Sequence, residues 1–219
     1  MDKSGDHDTS DGGTLPQVES QRGAERFSLL IRTAKLVYPF GEYLCIVRDV
    51  SATGVRLRIF HPLPAHKHAE IELANGDRHP LEWIWEEDGH AGFQFPGEID
   101  VHAFINETSH WSRRPIRLKL TLPAVLTTDE GARVAWLLDL SQHGARIECG
   151  QHLAEKQKVK LEAEGLPPLI ANVAWRSSPH YGLVFQQTFT FETLAKLVAG
   201  LQADEEAGQS SPDVRKGIA

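Results

Sequence analysis

Apolar and polar residues alternate with period two over short stretches of this chain, the pattern of strands that bury one face. Val55, Leu57 and Ile59 alternate with Arg56 and Arg58, and Ala145, Ile147 and Cys149 alternate with Arg146 and Glu148. Ala69, Ile71 and Leu73 match Val159, Leu161 and Ala163, while Leu118, Leu120 and Leu122 alternate with Lys119 and Thr121. Short strands separated by turn residues predict a small barrel or sandwich. The period then becomes helical: Phe191, Leu194, Leu197, Val198 and Leu201 predict a short closing helix, and Val101, Phe104 and Ile105 a shorter equivalent.

The matching segments belong to a repeat. Asp49, Ser51 and Gly54 recur 90 residues later as Asp139, Ser141 and Gly144, and Trp85, Gly92 and Phe95 recur at the same offset as Trp175, Gly182 and Phe185. Arg22 and Arg26 recur as Arg113 and Arg117, 91 residues on. One offset held across separated blocks, with a single-residue slip, implies two copies of one domain. We therefore divide the chain into a first domain at 22–107 and a second at 108–202. The flanking segments 1–21 and 203–219 carry too little apolar surface to offset chain entropy and are expected to be disordered.

Composition narrows the function. At 219 residues the chain suits two domains of roughly 100, each large enough for its own core. A net charge of −7 argues against a partner such as long nucleic acid, where a basic domain is expected, but leaves room for a small anionic ligand held by local arginines. Cys45 and Cys149 form no CxxC or zinc-ligand spacing and read as free thiols. No run approaches the roughly 18 consecutive apolar residues of a membrane span, and the first residues are acidic and Gly/Ser-rich, so membrane insertion is not expected and the chain is placed in the cytoplasm.

Enzyme constellations are missing: there is no Gly-rich phosphate loop, GxSxG elbow or HExxH helix. His66 and His68 alternate in a loop or strand start and read as solvated, since a tight metal site needs three or four ligands. Ser51 and Ser141 have no neighbouring base to make them nucleophiles. Trp85 and Trp175 lie in strand patterns and are expected to fill the two cores. The sequence thus predicts neither catalytic nor metal-binding residues, and no cofactor.

What remains is the repeated polar pair RxxxR and DxSxxG. An arginine fork can donate two hydrogen bonds to a phosphate or to guanine O6 and N7, and its plane can stack on a base. An Asp can accept from a guanine N1 and N2 edge, a Ser is a short donor and acceptor, and a Gly permits a turn or a close approach. Alone, RxxxR is a weak signal that reads as a solvated basic stretch before a strand, while a single DxSxxG reads as well as a capped turn as it does as a site. Two copies, each RxxxR standing 26 or 27 residues ahead of its DxSxxG, point to a ligand.

RxxxR, then DxSxxG, then a late strand with Trp, six residues and Gly resembles the PilZ domain family, twice over, from about Arg22 to Gln202. The resemblance implies two tandem six-stranded antiparallel β-barrels, each with a C-terminal helix, acting as a receptor for the bacterial second messenger cyclic di-GMP. It assigns Arg22, Arg26, Asp49, Ser51 and Gly54 to a first ligand site, and Arg113, Arg114, Arg117, Asp139, Ser141 and Gly144 to a second. Site two ranks first, because Arg114 adds a guanidinium there, whereas Glu25 stands beside Arg26 in copy one. The expected mechanism is ordering of the arginine segment, which at site two is also the interdomain linker, with a downstream protein partner receiving the signal. The alternative is an adaptor that binds no nucleotide and scaffolds a motility, pilus or polysaccharide machine.

Overall fold

The computed structural model of the protein describes residues 27–106 and 115–209. The first half contains β1 (Phe27–Tyr38), β2 (Gly41–Val50), β3 (Gly54–Arg58), β4 (His68–Leu73), β5 (Arg78–Glu87) and β6 (His90–Gln94), then the short helix α1 (Val101–Asn106). The second half repeats this order as β7 (Leu118–Thr128), β8 (Gly131–Leu140), β9 (Gly144–Glu148), β10 (Lys158–Ala163), β11 (Leu169–Ser177), β12 (His180–Phe185) and α2 (Phe191–Gln209). Each set of six strands closes into an antiparallel barrel, in the orders β1-β2-β3-β6-β5-β4 and β10-β11-β12-β9-β8-β7, which are one topology used twice. Closure pairs every strand on both sides and leaves no free sheet edge. Helix α2 runs to Gln209, beyond Ala203, where the sequence pattern placed the start of the tail.

The alternation fixes which residues enter each barrel. Leu36, Val47, Leu57, Ile71, Leu81 and Phe93 form the first core, closed from below by Phe104 of α1. Leu126, Leu137, Ile147, Leu161, Val173 and Leu183 form the second, closed by Leu194 and Val198 of α2. Both cysteines are buried, and burial pushes the Cys45 thiol well above its ordinary pKa.

The two tryptophans at the end of β5 and β11 correct the sequence reading. Strict alternation from Ala171 and Val173 would turn Trp175 inward, but a β-bulge between Val173 and Trp175 shifts the strand by one residue and sends the indole outward. The same bulge lies between Trp83 and Trp85. Trp85 and Trp175 are consequently 40% and 39% exposed and belong to neither core.

The barrels touch through a small mixed interface. Leu44 of β2 packs into the second core cluster, Phe60 meets Phe191 with ring centroids 5.7 Å apart, and Ala199 of α2 packs against the first core. At its centre Lys35 Nζ donates to Glu42 Oε2 (2.9 Å) and to the carbonyl of Arg117 (3.1 Å), with Glu72 Oε1 also 3.1 Å away. Glu42 Oε2 accepts a bond from the backbone N–H of Lys119 (2.9 Å). Gln202 of α2 accepts from the Glu42 N–H (2.6 Å) and donates to the Glu42 carbonyl (2.9 Å). Lys35, Glu42 and Gln202 are all buried, so barrel one grips the backbone on both sides of Leu118, next to the second arginine of RxxxR.

Candidate functional site: an arginine–carboxylate row on each barrel

A second bulge, between Leu137 and Asp139 on β8, turns Asp139 to the outer face, and its equivalent between Val47 and Asp49 does the same on β2. From Asp139 a row of directly opposed residues crosses four strands: Asp139 faces Arg146 on β9, Arg146 faces Gly182 on β12, and Gly182 faces Trp175 on β11. Barrel one repeats the row as Asp49, Arg56, Gly92 and Trp85. Opposed residues of an antiparallel sheet share a face, so a carboxylate, a guanidinium and an indole are presented together.

The glycine in each row is a seat for the indole. A Cβ on Gly182 would collide with the Trp175 ring, and one on Gly92 with the Trp85 ring, which explains why the Trp and Gly recur at fixed spacing. Gly144 and Gly54 act differently, as close approaches of two backbones: a Cβ there would meet the carbonyl of Leu183 or Phe93 on the facing strand. Gly144→Ala is therefore expected to destabilise the fold by about 1–3 kcal/mol, as overpacking does, while Gly150→Ala, with open space around it, leaves the urea midpoint unchanged. Equal midpoints for the two variants would contradict this.

Electrostatics organise the second site. Asp139 is buried, and its two oxygens are taken separately: Arg117 Nη1 donates to Oδ1 at 2.7 Å, and Arg146 Nε lies 3.0 Å from Oδ2. Both guanidinium side chains are about half exposed, so each keeps most of its five N–H donors directed at solvent. Two positive charges on one carboxylate leave a net positive patch beside the indole. In the first site Arg56 Nε pairs with Asp49 Oδ2 at 2.6 Å, and a cavity of about 490 Å³ opens there, lined by Asp49, Ser51, Gly54, Arg56, Ile84 and Trp85 among others.

The serines hold the turn. Ser141 Oγ donates to the Gly144 carbonyl (3.0 Å) and its backbone N–H to the same oxygen (2.8 Å); Ser51 and Gly54 repeat both bonds. The hydroxyl proton is thus committed to a backbone carbonyl, the arrangement of a capped turn. His66 and His68 are exposed, with His66 Nδ1 2.7 Å from the His68 carbonyl.

Of the residues singled out from sequence, Asp139, Ser141, Gly144 and Arg117 are brought together on barrel two, and Asp49, Ser51 and Gly54 on barrel one. Arg22, Arg26, Arg113 and Arg114 lie outside the described residues. Sequence reasoning passed over Arg56 and Arg146 as ordinary outward strand residues. Their signal was present: each stands two residues after the glycine of DxSxxG, at the same 90-residue offset.

The sequence pattern of the PilZ domain family matches residues 112–203, which span β7 to α2 and contain the whole second row. No curated protein matches the chain. Among solved structures it is similar to the Borreliella burgdorferi PlzA protein in complex with c-di-GMP, at 11% identity over 81% of this chain and 93% of that one, with a TM-score of 0.33. It is also similar to the Escherichia coli YcgR protein in complex with c-di-GMP (14% identity, 82% and 88% covered, TM-score 0.34) and to the Bacillus subtilis inhibitor of motility MotI/DgrA (10%, 82% and 98%, 0.32). Among the described residues no helix is long and apolar enough to cross a membrane. Residues 112–203, the second barrel and its helix, thus match the PilZ domain family, and a barrel of the same topology stands ahead of them.

Proposed function

We propose that the protein is a cyclic di-GMP receptor and that the row on barrel two is its principal site. The observation that carries this reading is the pair of half-exposed guanidiniums, Arg117 and Arg146, fixed on one buried carboxylate beside an exposed indole. A cyclic dinucleotide offers two phosphates and two flat guanines. Guanidinium forks suit phosphate oxygens and guanine O6 and N7, an indole face suits a stacked base, and the Asp139 carboxylate suits a guanine N1 and N2 edge. Arg113 and Arg114 in site two, and Arg22 and Arg26 in site one, complete the proposed ligand set, with 22–107 and 108–202 as the two domains.

The reading is one of binding without turnover. Asp139 is engaged by two arginines and Ser141 by a carbonyl, so neither stands as a base or a nucleophile. The signal leaves through the backbone: the Arg117 carbonyl is held by Lys35, so any shift of Arg117 toward a ligand strains the contact with barrel one. A receiving protein then reads the relation of the two barrels.

Calorimetric titration of cyclic di-GMP into the full chain tests the reading. Saturable binding that weakens with added salt is expected, because guanidinium meets phosphate at a solvent-accessible face. The absence of binding at low salt would overturn the receptor reading and favour the nucleotide-free adaptor.

A further inference from the structure

The side of barrel one built from β1 and β2 rests on the end of barrel two. A groove between them is lined by Thr33 and Leu44 from that side and by Gln142, Phe191 and Leu194 from that end. The repeat supplies an equivalent for each. Strand register matches Thr33 with Pro123 and Leu44 with Val134, since Thr33 opposes Ile46 as Pro123 opposes Trp136, and Lys35 opposes Leu44 as Val125 opposes Val134. On the other face of the contact, Phe191 and Leu194 correspond to Val101 and Phe104, each pair holding the first and fourth positions of its helix.

Among the described residues, nothing covers that side of barrel two. Leu44 is 2% exposed, but its equivalent Val134 is 77% exposed, and Val125, Trp136 and Pro123 beside it are exposed too. These four form two adjacent cross-strand pairs on one outer face, a contiguous apolar patch of the sort that marks an interaction surface. The buried charges of barrel one are also replaced, since Lys35 corresponds to Val125 and Glu42 to Ala132. The patch itself therefore carries no charge and suits an apolar partner, with the half-exposed Lys160–Glu162 pair bordering it on β10, where Glu162 opposes Val125. The end of barrel one offers one: Val101 is half-exposed where barrel two presents Phe191.

We propose that this patch seats the α1 end of barrel one from a second copy of the chain, repeating between molecules the side-on-end stacking that joins the two barrels within one. The contact is heterologous, patch against end, so it propagates into chains of barrels instead of closing as a symmetric dimer. It does not depend on the ligand reading.

Sedimentation velocity of the full chain, from low to several hundred micromolar, tests the proposal with Val134→Glu and Val101→Glu. Wild-type protein is expected to pass through dimers to larger species as concentration rises. Each variant alone should remain monomeric, and an equimolar mixture should form heterodimers and stop there, because only one intact patch meets one intact end. Because Val101 packs partly on the first core, Thr53→Glu, at the exposed equivalent of His143 on the same end, replaces Val101→Glu if the latter loses its cooperative melt. Wild-type protein that stays monomeric throughout, an end variant that assembles like wild type, or a mixture that stays monomeric would each overturn the proposal.

Discussion

Glu42→Ala is expected to lower the stability of the protein by about 3 kcal/mol. Removing one member of a buried ion pair costs on the order of 3–5 kcal/mol because the other charge stays buried without its partner. Here the carboxylate serves two donors, Lys35 Nζ and the Lys119 N–H, both at 2.9 Å. Its loss strands a buried ammonium and orphans a backbone N–H. Glu72, 3.1 Å from Lys35, remains to compensate in part, which places the effect at the lower end of the range. Lys67 and Glu82 form an exposed pair at 3.3 Å, so Glu82→Ala should change stability by less than about 1 kcal/mol. Differential calorimetry on the three proteins separates the cases. A Glu42→Ala melt that coincides with wild type would mean that the cluster does not hold the barrels together. The same substitution frees the backbone flanking Leu118, so it should also weaken cyclic di-GMP binding severalfold, although Glu42 belongs to barrel one and not to the row.

Much of this architecture is written in local pattern. The 90-residue offset, the alternation through Val55–Ile59 and Ala145–Cys149, and the helical spacing from Phe191 all correspond to elements in the fold, because each reports burial of one face of a strand or helix. The bulges are what pattern cannot report. One extra residue near Ala174 and Ile84 inverts the facing of everything after it, which is why Trp175 and Trp85 read as core and stand at the surface. Their repeated glycines carried the clue, since a conformationally ordinary glycine opposite a large ring marks space occupied by that ring. The cluster of Lys35, Glu42 and Gln202 was not legible at all. Gln202 lies 160 residues from Glu42, and nothing local distinguishes an interface lysine from a solvated one. The DxSxxG motif was legible as a turn, and Ser141 and Gly144 do build one, which holds Asp139 at the head of the row.

The second large effect concerns affinity and not stability. Arg117→Ala is expected to raise the dissociation constant for cyclic di-GMP roughly 10- to 100-fold, the equivalent of losing one bidentate guanidinium contact of about 1–3 kcal/mol. Its effect on the melting midpoint should be small. The Arg117 side chain is about half exposed and its pairing with Asp139 is screened by water, while Asp139 keeps Arg146 at 3.0 Å. The contact to barrel one survives as well, because Lys35 binds the Arg117 backbone carbonyl, which alanine retains. The variant should also show a shallower dependence of affinity on salt, one phosphate-facing charge having been removed. Arg146→Ala, at the residue that sequence reading passed over, should match it in both affinity and salt response, since the two arginines hold opposite oxygens of one carboxylate. Titrations of wild type and both variants at two salt concentrations decide the matter. If Arg117→Ala weakened binding but Arg146→Ala did not, the ligand would lie toward β7 and away from the indole, and the row of Asp139, Arg146, Gly182 and Trp175 would be a structural brace rather than a binding surface.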